Sequence, residues 1–286
     1  MSWSRSTLLD LRSALVSIEA RFQICTETPV HILSALPLLI RLFWHPEMRV
    51  FKMLFKLTTG AAQSESQRIE KELNEAKRRL TAATAALAPK HKGGEVETFH
   101  AAHKEVLRLE RSLADIRKEP YAVPCDFPVA WDVGAPLPFL LRNDNRTFLT
   151  FYVSEPDPNW DGTTVKIVDP SSEESATLCL VTFTNCASAK MGHPNDEAQG
   201  GHPLAGRGLE GYTAQIVKNS PWLAEVAKTN SVHQHDNPEK WKLLNHYVFW
   251  FHDSTFECLA ESYEVEVSSE TMPELLTRVQ KRLLFE

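Results

Sequence analysis

Ile69-Glu70-Lys71-Glu72-Leu73-Asn74-Glu75-Ala76-Lys77-Arg78-Arg79-Leu80 and Val106-Leu107-Arg108-Leu109-Glu110-Arg111-Ser112-Leu113-Ala114-Asp115-Ile116 decide how the first part of this chain folds. Ile69, Leu73, Ala76, Leu80, Ala83 and Leu87 recur at alternating spacings of four and three, and Phe99, Ala102, Val106, Leu109, Leu113 and Ile116 at three and four. Apolar side chains at this period, with charges between them, form the seam of a coiled coil. Pro89-Lys90-His91-Lys92-Gly93-Gly94 separates the two runs, a helix stop followed by a flexible turn. Two helices of about 25 residues, roughly 37 Å each, joined by so short a link must run antiparallel. Residues 64–119 are therefore expected to form a coiled-coil hairpin. Such a hairpin serves as an arm that docks another protein or a second copy of the chain, or its seam packs on the N-terminal helices as an ordinary bundle. Its alanines bury little area, so support from the first sixty residues or from a partner is expected.

Upstream, Leu8, Leu9, Leu11, Leu15 and Ile18 recur at helical spacing, and Thr28-Pro29 pairs a capping hydroxyl with a proline at a first helical position. Pro46 opens a segment that places Val50, Met53, Leu54 and Leu57 on one face, with Arg49, Lys52 and Lys56 between them. A basic amphipathic helix of this kind more often buries its apolar side than lies on a membrane.

Downstream of Pro120 the composition shifts to prolines, aromatics and β-branched residues. The runs 148–153, 164–168, 177–184, 212–217, 247–251 and 256–267 read as strands. Tyr263-Glu264-Val265-Glu266-Val267 alternates strictly, which buries one face and turns the glutamates to water. Asn143-Asp144-Asn145, Pro156-Asp157-Pro158-Asn159 and Asp169-Pro170-Ser171-Ser172 supply turns. Helices are expected to start at Asn219/Ser220 with Pro221, at Asn237 with Pro238, and at the capping box Thr271-Met272-Pro273-Glu274. A polar loop over 190–211 shows no periodicity; loops of that length are commonly functional. The expected architecture is α+β: a helical region over 1–120, then a mainly antiparallel β-sheet or barrel-like domain with a few helices over 121–286.

The 286 residues are 43% hydrophobic and 24% charged, as in an ordinary globular protein. A net charge of -6 argues against salt-driven adhesion to nucleic acid, which needs a basic face. Five cysteines without a Cys-x-x-Cys pair suit a reducing compartment. The N-terminal stretch lacks a signal peptide's layout, and Ile32–Trp44 is too short, and too broken by Pro37 and Arg41, to cross a membrane. A cytoplasmic setting is expected.

Chemistry-bearing residues concentrate between Gly192 and Cys258. His233-Gln234-His235-Asp236, with His252 nearby in the fold, offers ligands for a divalent metal such as zinc, although no standard metal spacing occurs. His252-Asp253-Ser254 resembles a triad written in a row, but adjacent residues point in different directions. A hairpin turn is the better reading, with Cys258 a small buried hydrophobe. Gly200-Gly201-His202-Pro203-Leu204-Ala205-Gly206-Arg207-Gly208-Leu209 lacks the ending of a phosphate loop. It is expected to fold over the sheet, with Arg207 pairing Asp196, Glu197 or a ligand carboxylate. Asn219 and Trp222 would complete a polar pocket with an aromatic wall.

The segments 190–198, 201–209, 217–222 and 246–258 resemble those of an uncharacterised bacterial domain family of hypothetical proteins. The resemblance spans roughly residues 125–267. It implies a bacterial cytoplasmic setting and marks the helical first 120 residues as an addition, but it brings no activity or site residue. The expected function is a non-catalytic binding or assembly protein. Asp196, Glu197, His202, Arg207, Asn219 and Trp222 would contact a small polar ligand or a partner, and the hairpin would mediate self-association. The alternative is a metal-dependent hydrolase with His233, His235 and His252 as ligands and Asp253 or Glu257 as general base.

Overall fold

The computed structural model describes residues 46–87, 94–155 and 168–285, those of 46–62 as helical backbone only. The chain divides into two compact units, Met1–Gln63 and Ser64–Glu286. The expected helices before residue 46, the turns at 89–93 and 156–159 and most of the expected strand 164–168 lie outside the described residues, as do the side chains of the basic segment after Pro46.

Helices α1 (Pro46–Leu87) and α2 (Gly94–Arg117) form the hairpin. Ile69, Leu73 and Ala76 of α1 pack on Val106, Leu109 and Leu113 of α2, with Leu80 and Ile116 at the margins. Arg117 pairs with Glu70 at 3.0 Å and Lys77 with Glu110 at 3.0 Å, which fixes an antiparallel register. The seam is thus satisfied within the hairpin, as the heptads require. α2 also buries Leu107, Glu110 and Ala114, a second stripe at helical spacing that turns toward the β domain.

The β domain is a sandwich of two antiparallel sheets, not closed into a barrel. β1 (Tyr121–Pro124), β6 (Ala214–Lys218), β7 (Asn245–Trp250), β8 (Thr255–Ala260) and β5 (Ser188–Gly192) lie in that order in a five-stranded sheet. β2 (Phe139–Arg142), β3 (Thr147–Tyr152), β4 (Ala176–Thr184) and β9 (Ser262–Glu270) form a four-stranded one. Between them, Trp131, Phe151, Phe183, Phe249, Phe251 and Phe256 interlock with Leu149, Cys179, Val181 and Cys258. Several ring pairs meet edge to face, Phe127 on Phe249 at 5.1 Å among them.

The single run expected over 256–267 is two strands. The chain breaks at Glu261 and passes from one sheet to the other, just as it does between β4 and β5 at Asn185, whose φ is +50°. Asn185 donates to Glu261 at 2.7 Å, so one side-chain contact ties both crossovers together. The short strands β1, β2 and β5 escape periodicity because four or five residues carry too little pattern.

The sandwich leaves two outer faces. α5 (Met272–Phe285) covers the four-stranded sheet, burying Met272, Leu275 and Val279 on Phe148, Leu178 and Leu180. Its capping box forms as expected, Thr271 Oγ1 accepting from the Glu274 amide and Glu274 accepting from the Thr271 amide. Glu266 faces water as expected and also pairs with Arg278 and Arg282 of α5.

The five-stranded sheet is covered by the 202–210 segment and the base of the hairpin. Leu204 and Leu209 pack on Ala122, Val217, Val248 and Trp250. Arg111 of α2 donates to the carbonyls of Ala122 and Gly208, each at 2.9 Å, and Glu110 accepts from the Gly208 amide at 3.2 Å. Gly208 sits at φ +77°, and a Cβ there would lie 2.4 Å from Arg111 Cγ and 2.8 Å from the Ala122 carbonyl. Only glycine meets both demands. Gly208→Ala is therefore expected to cost about 2–3 kcal/mol from left-handed strain and the clash. Gly200→Ala, which meets nothing within 4 Å, should be close to neutral. Urea unfolding of the two variants side by side checks this.

Candidate functional site

Pleating sends Tyr247 and Phe249 of β7 and Phe256 and Cys258 of β8 inward, so His246, Val248 and Glu257 project from the outer face. Cross-strand register then places Lys190 of β5 directly opposite Glu257. A polar cluster forms on this face. Glu257 Oε2 meets His246 Nε2 at 2.7 Å, while its Oε1 takes Lys190 Nζ at 2.8 Å and faces His202 Nε2 at 3.8 Å. His246 is 5% exposed, His202 6% and Glu257 9%.

Two elements roof the cluster. His202 opens the tight segment over the sheet, its Nδ1 accepting from the Leu204 amide at 3.1 Å, which leaves the proton of the neutral ring on Nε2, toward Glu257. The second is α3 (Pro221–Asn230), which begins where the sequence signals placed it, with Ser220 as N-cap. Ser220 Oγ accepts from the Leu223 amide at 3.1 Å and lies 2.8 Å from His246 Nδ1. Trp222 stands edge-on to His246 at 5.1 Å and carries the Lys190 ammonium over its ring at 4.8 Å.

Burial pushes the Glu257 carboxyl up, but the donors of His202, His246 and Lys190 together outweigh it and hold the group well below the ordinary carboxylate range. With Glu257 ionised, the proton of a neutral His246 lies on Nε2, and Nδ1 is free to accept from the Ser220 hydroxyl. The hydrogen bonds then run one way: from the helix amide to Ser220, from Ser220 to His246, and from His246 to Glu257. Lys190 is half exposed and uses one donor on Glu257, so this side of the cluster meets solvent.

The residues singled out from sequence fall into separate sets. His202, Trp222 and Glu257 belong to the cluster just described. Asp196 does not; its carboxylate accepts from the Tyr212 hydroxyl at 2.6 Å and meets His252 Nδ1 at 2.9 Å, forming a second, shallower group. The Tyr212 and His252 contacts hold Asp196 below the carboxylate range, and burial with the Asp196 charge pushes Tyr212 up to about 12. Glu197 is exposed on the short 3-10 turn Asp196–Gly201. Arg207 was expected to pair Asp196, Glu197 or a ligand carboxylate; its partner is Glu119 at 3.5 Å. Asn219 donates to the Glu119 carbonyl at 3.1 Å, so both side chains brace the hairpin's exit.

His233 and His235 meet at a tilt in the exposed turn before α4 (Pro238–Lys242), at 5.7 Å between ring centroids. His252 is engaged elsewhere, and among the described residues no three His, Cys, Asp or Glu side chains are grouped to hold a metal ion. Asp253 is exposed, 3.9 Å from His252 Nε2. The Phe251 amide donates to the Ser254 carbonyl at 2.9 Å, closing the expected hairpin turn between β7 and β8. Sequence reasoning did not assign His246, Ser220, Lys190 and Tyr212 to a site. The signal for His246 was present: a histidine at an outward position of an otherwise apolar strand, facing the outward glutamate of its neighbour.

Glu257 is the charge that the surrounding donors depend on, and removing one partner of a buried pair costs about 3–5 kcal/mol. Glu257→Ala should lose about 3 kcal/mol in urea unfolding at pH 7. The folded carboxyl titrates below its ordinary 4.5. Its contribution is therefore present above that pH and is lost as the pH falls through the folded value, so the gap between wild type and variant should narrow in acid. No protein-family model, no curated protein and no solved structure matches this chain.

Proposed function

We propose that this chain is a binding and assembly protein. The β domain takes a small anionic ligand at the Lys190–Trp222 side of the outer-face cluster, and the helical hairpin serves as the arm for self-association or a partner. The observation that carries the ligand reading is the exposed ammonium of Lys190, held 2.8 Å from a buried carboxylate and 4.8 Å from an indole ring. Glu257 fixes the amine without exhausting its three donors, and Trp222 adds a flat apolar wall. A carboxylate with a flat body matches both, because small-molecule sites combine apolar surface with a few placed polar groups.

The arm reading is supported by a seam already filled within the hairpin, exposed charged faces, and a base tied to the sandwich through Arg111. A rigid, charged projection suits assembly more than ligand binding. Cytoplasmic residence is part of the proposal, supported by free thiols at Cys125, Cys179, Cys186 and Cys258; among the described residues no helix is long and apolar enough to cross a membrane.

Tryptophan fluorescence titration with benzoate, and with acetate as the ringless comparison, tests the ligand site. Benzoate should bind more tightly than acetate, and Lys190→Ala should weaken it at least ten-fold, about 1.4 kcal/mol. Equal binding by the variant would remove Lys190 from the site. For the arm, light scattering of the full chain against the triple variant Lys71→Glu, Arg78→Glu, Lys104→Glu should show a lower mass for the variant. An unchanged mass would assign association to another surface.

A further inference from the structure

We propose that Ser220 is a nucleophile for acyl transfer from carboxylic esters, with His246 as its base and Glu257 as the group that orients the imidazole. This goes beyond ligand binding and does not rest on it. The geometry is that of an activated hydroxyl: Oγ to His246 Nδ1 is 2.8 Å, and His246 Nε2 to Glu257 Oε2 is 2.7 Å. Nucleophile, base and orienting carboxylate come from β6–α3, β7 and β8, assembled from separate elements as such arrays are. The ring nitrogens are exchanged relative to the familiar serine triad, but a neutral imidazole can accept on one nitrogen and donate on the other in either sense.

The backbone supports the same role. β6 ends at Lys218, Asn219 turns with φ +53°, and Ser220 caps α3 with Pro221 at its first position. The strand-to-helix turn places the Ser220 hydroxyl at the start of α3; Ser220 itself has ordinary extended backbone (φ -61°, ψ 116°), and the Gly-x-Ser-x-Gly of a nucleophile elbow is absent. The Leu223 amide already donates to Oγ at 3.1 Å, and the positive end of a helix favours negative charge developing on that oxygen. A cap alone does not account for the array. It needs only an acceptor oxygen, whereas a buried histidine–carboxylate pair is often no more stable than apolar residues of the same volume.

The step balances without a co-reactant other than water. Ser220 Oγ bonds to the ester carbonyl carbon as its proton passes to His246 Nδ1. The bond to the leaving oxygen breaks, and the alcohol departs with that proton. Water then attacks the acyl group on Ser220, giving its proton to His246, and the acid leaves as the hydroxyl is restored.

The test treats the full chain with an alkyl fluorophosphonate, in which fluoride leaves as Oγ bonds to phosphorus, and follows intact mass and peptide mapping. A single adduct on Ser220 is expected, absent after prior heat denaturation. His246→Gln should slow its formation about 100-fold, the scale of a lost general base. Ser220→Asn keeps a capping oxygen and should give no adduct while unfolding at nearly the wild-type temperature. No adduct on Ser220, an adduct elsewhere only, or equal rates with and without His246 would each overturn the proposal. A wild-type chain that binds benzoate yet gives no adduct on Ser220 would overturn this proposal and leave the ligand site standing.

Discussion

A sheet that packs against another sheet still has a second face, and covering that face organises this molecule. The aromatic layer between the two sheets seals one side of each. α5 answers the problem on the four-stranded sheet with an amphipathic stripe and two arginines that reach back to β9. The five-stranded sheet is answered differently, by a tight loop segment, the start of α3 and the base of the hairpin. Backbone carbonyls take much of the load there, since Arg111 holds those of Ala122 and Gly208 and Gln215 also donates to the Gly208 carbonyl at 3.1 Å. Polar groups buried in this way are ordinarily paired; the Ala122 and Gly208 carbonyls are, whereas Trp250 Nε1 on the same face is buried without a hydrogen-bond partner.

That polar cover is what permits a charge on the sheet's outer face. Glu257 sits where a strand of this kind would ordinarily present a valine or leucine. It is tolerable only because three donors converge on it and one of them, Lys190, reaches solvent. Desolvation and donor contacts oppose each other, and the contacts win. The result is a fixed anion that sets the proton on His246 and, through it, the direction of the Ser220 hydroxyl.

Much of the fold was legible. Heptads give the hairpin because a filled seam has a fixed period, and the capping signals at Ser220-Pro221, Asn237-Pro238 and Thr271–Glu274 each start a helix where expected. The break at Glu261 was not legible, since an apolar run cannot say where it changes sheets. The site was half legible. His202, Trp222 and Glu257 converge, whereas Asp196, Arg207 and Asn219 serve other contacts. Their residue types were informative, but their partners depend on register between strands far apart in sequence. Ser220 stands out in sequence only as a cap, because its second partner, His246, lies on the neighbouring strand.

Glu119, the residue that leads out of the hairpin, has one further meaning. Its carboxylate holds Arg207 in the loop that carries His202, and its carbonyl holds Asn219, the residue before Ser220. The long helical lever and both roofing elements therefore share a single fulcrum. One residue thus joins the hairpin's exit to the two sides of the cluster at once.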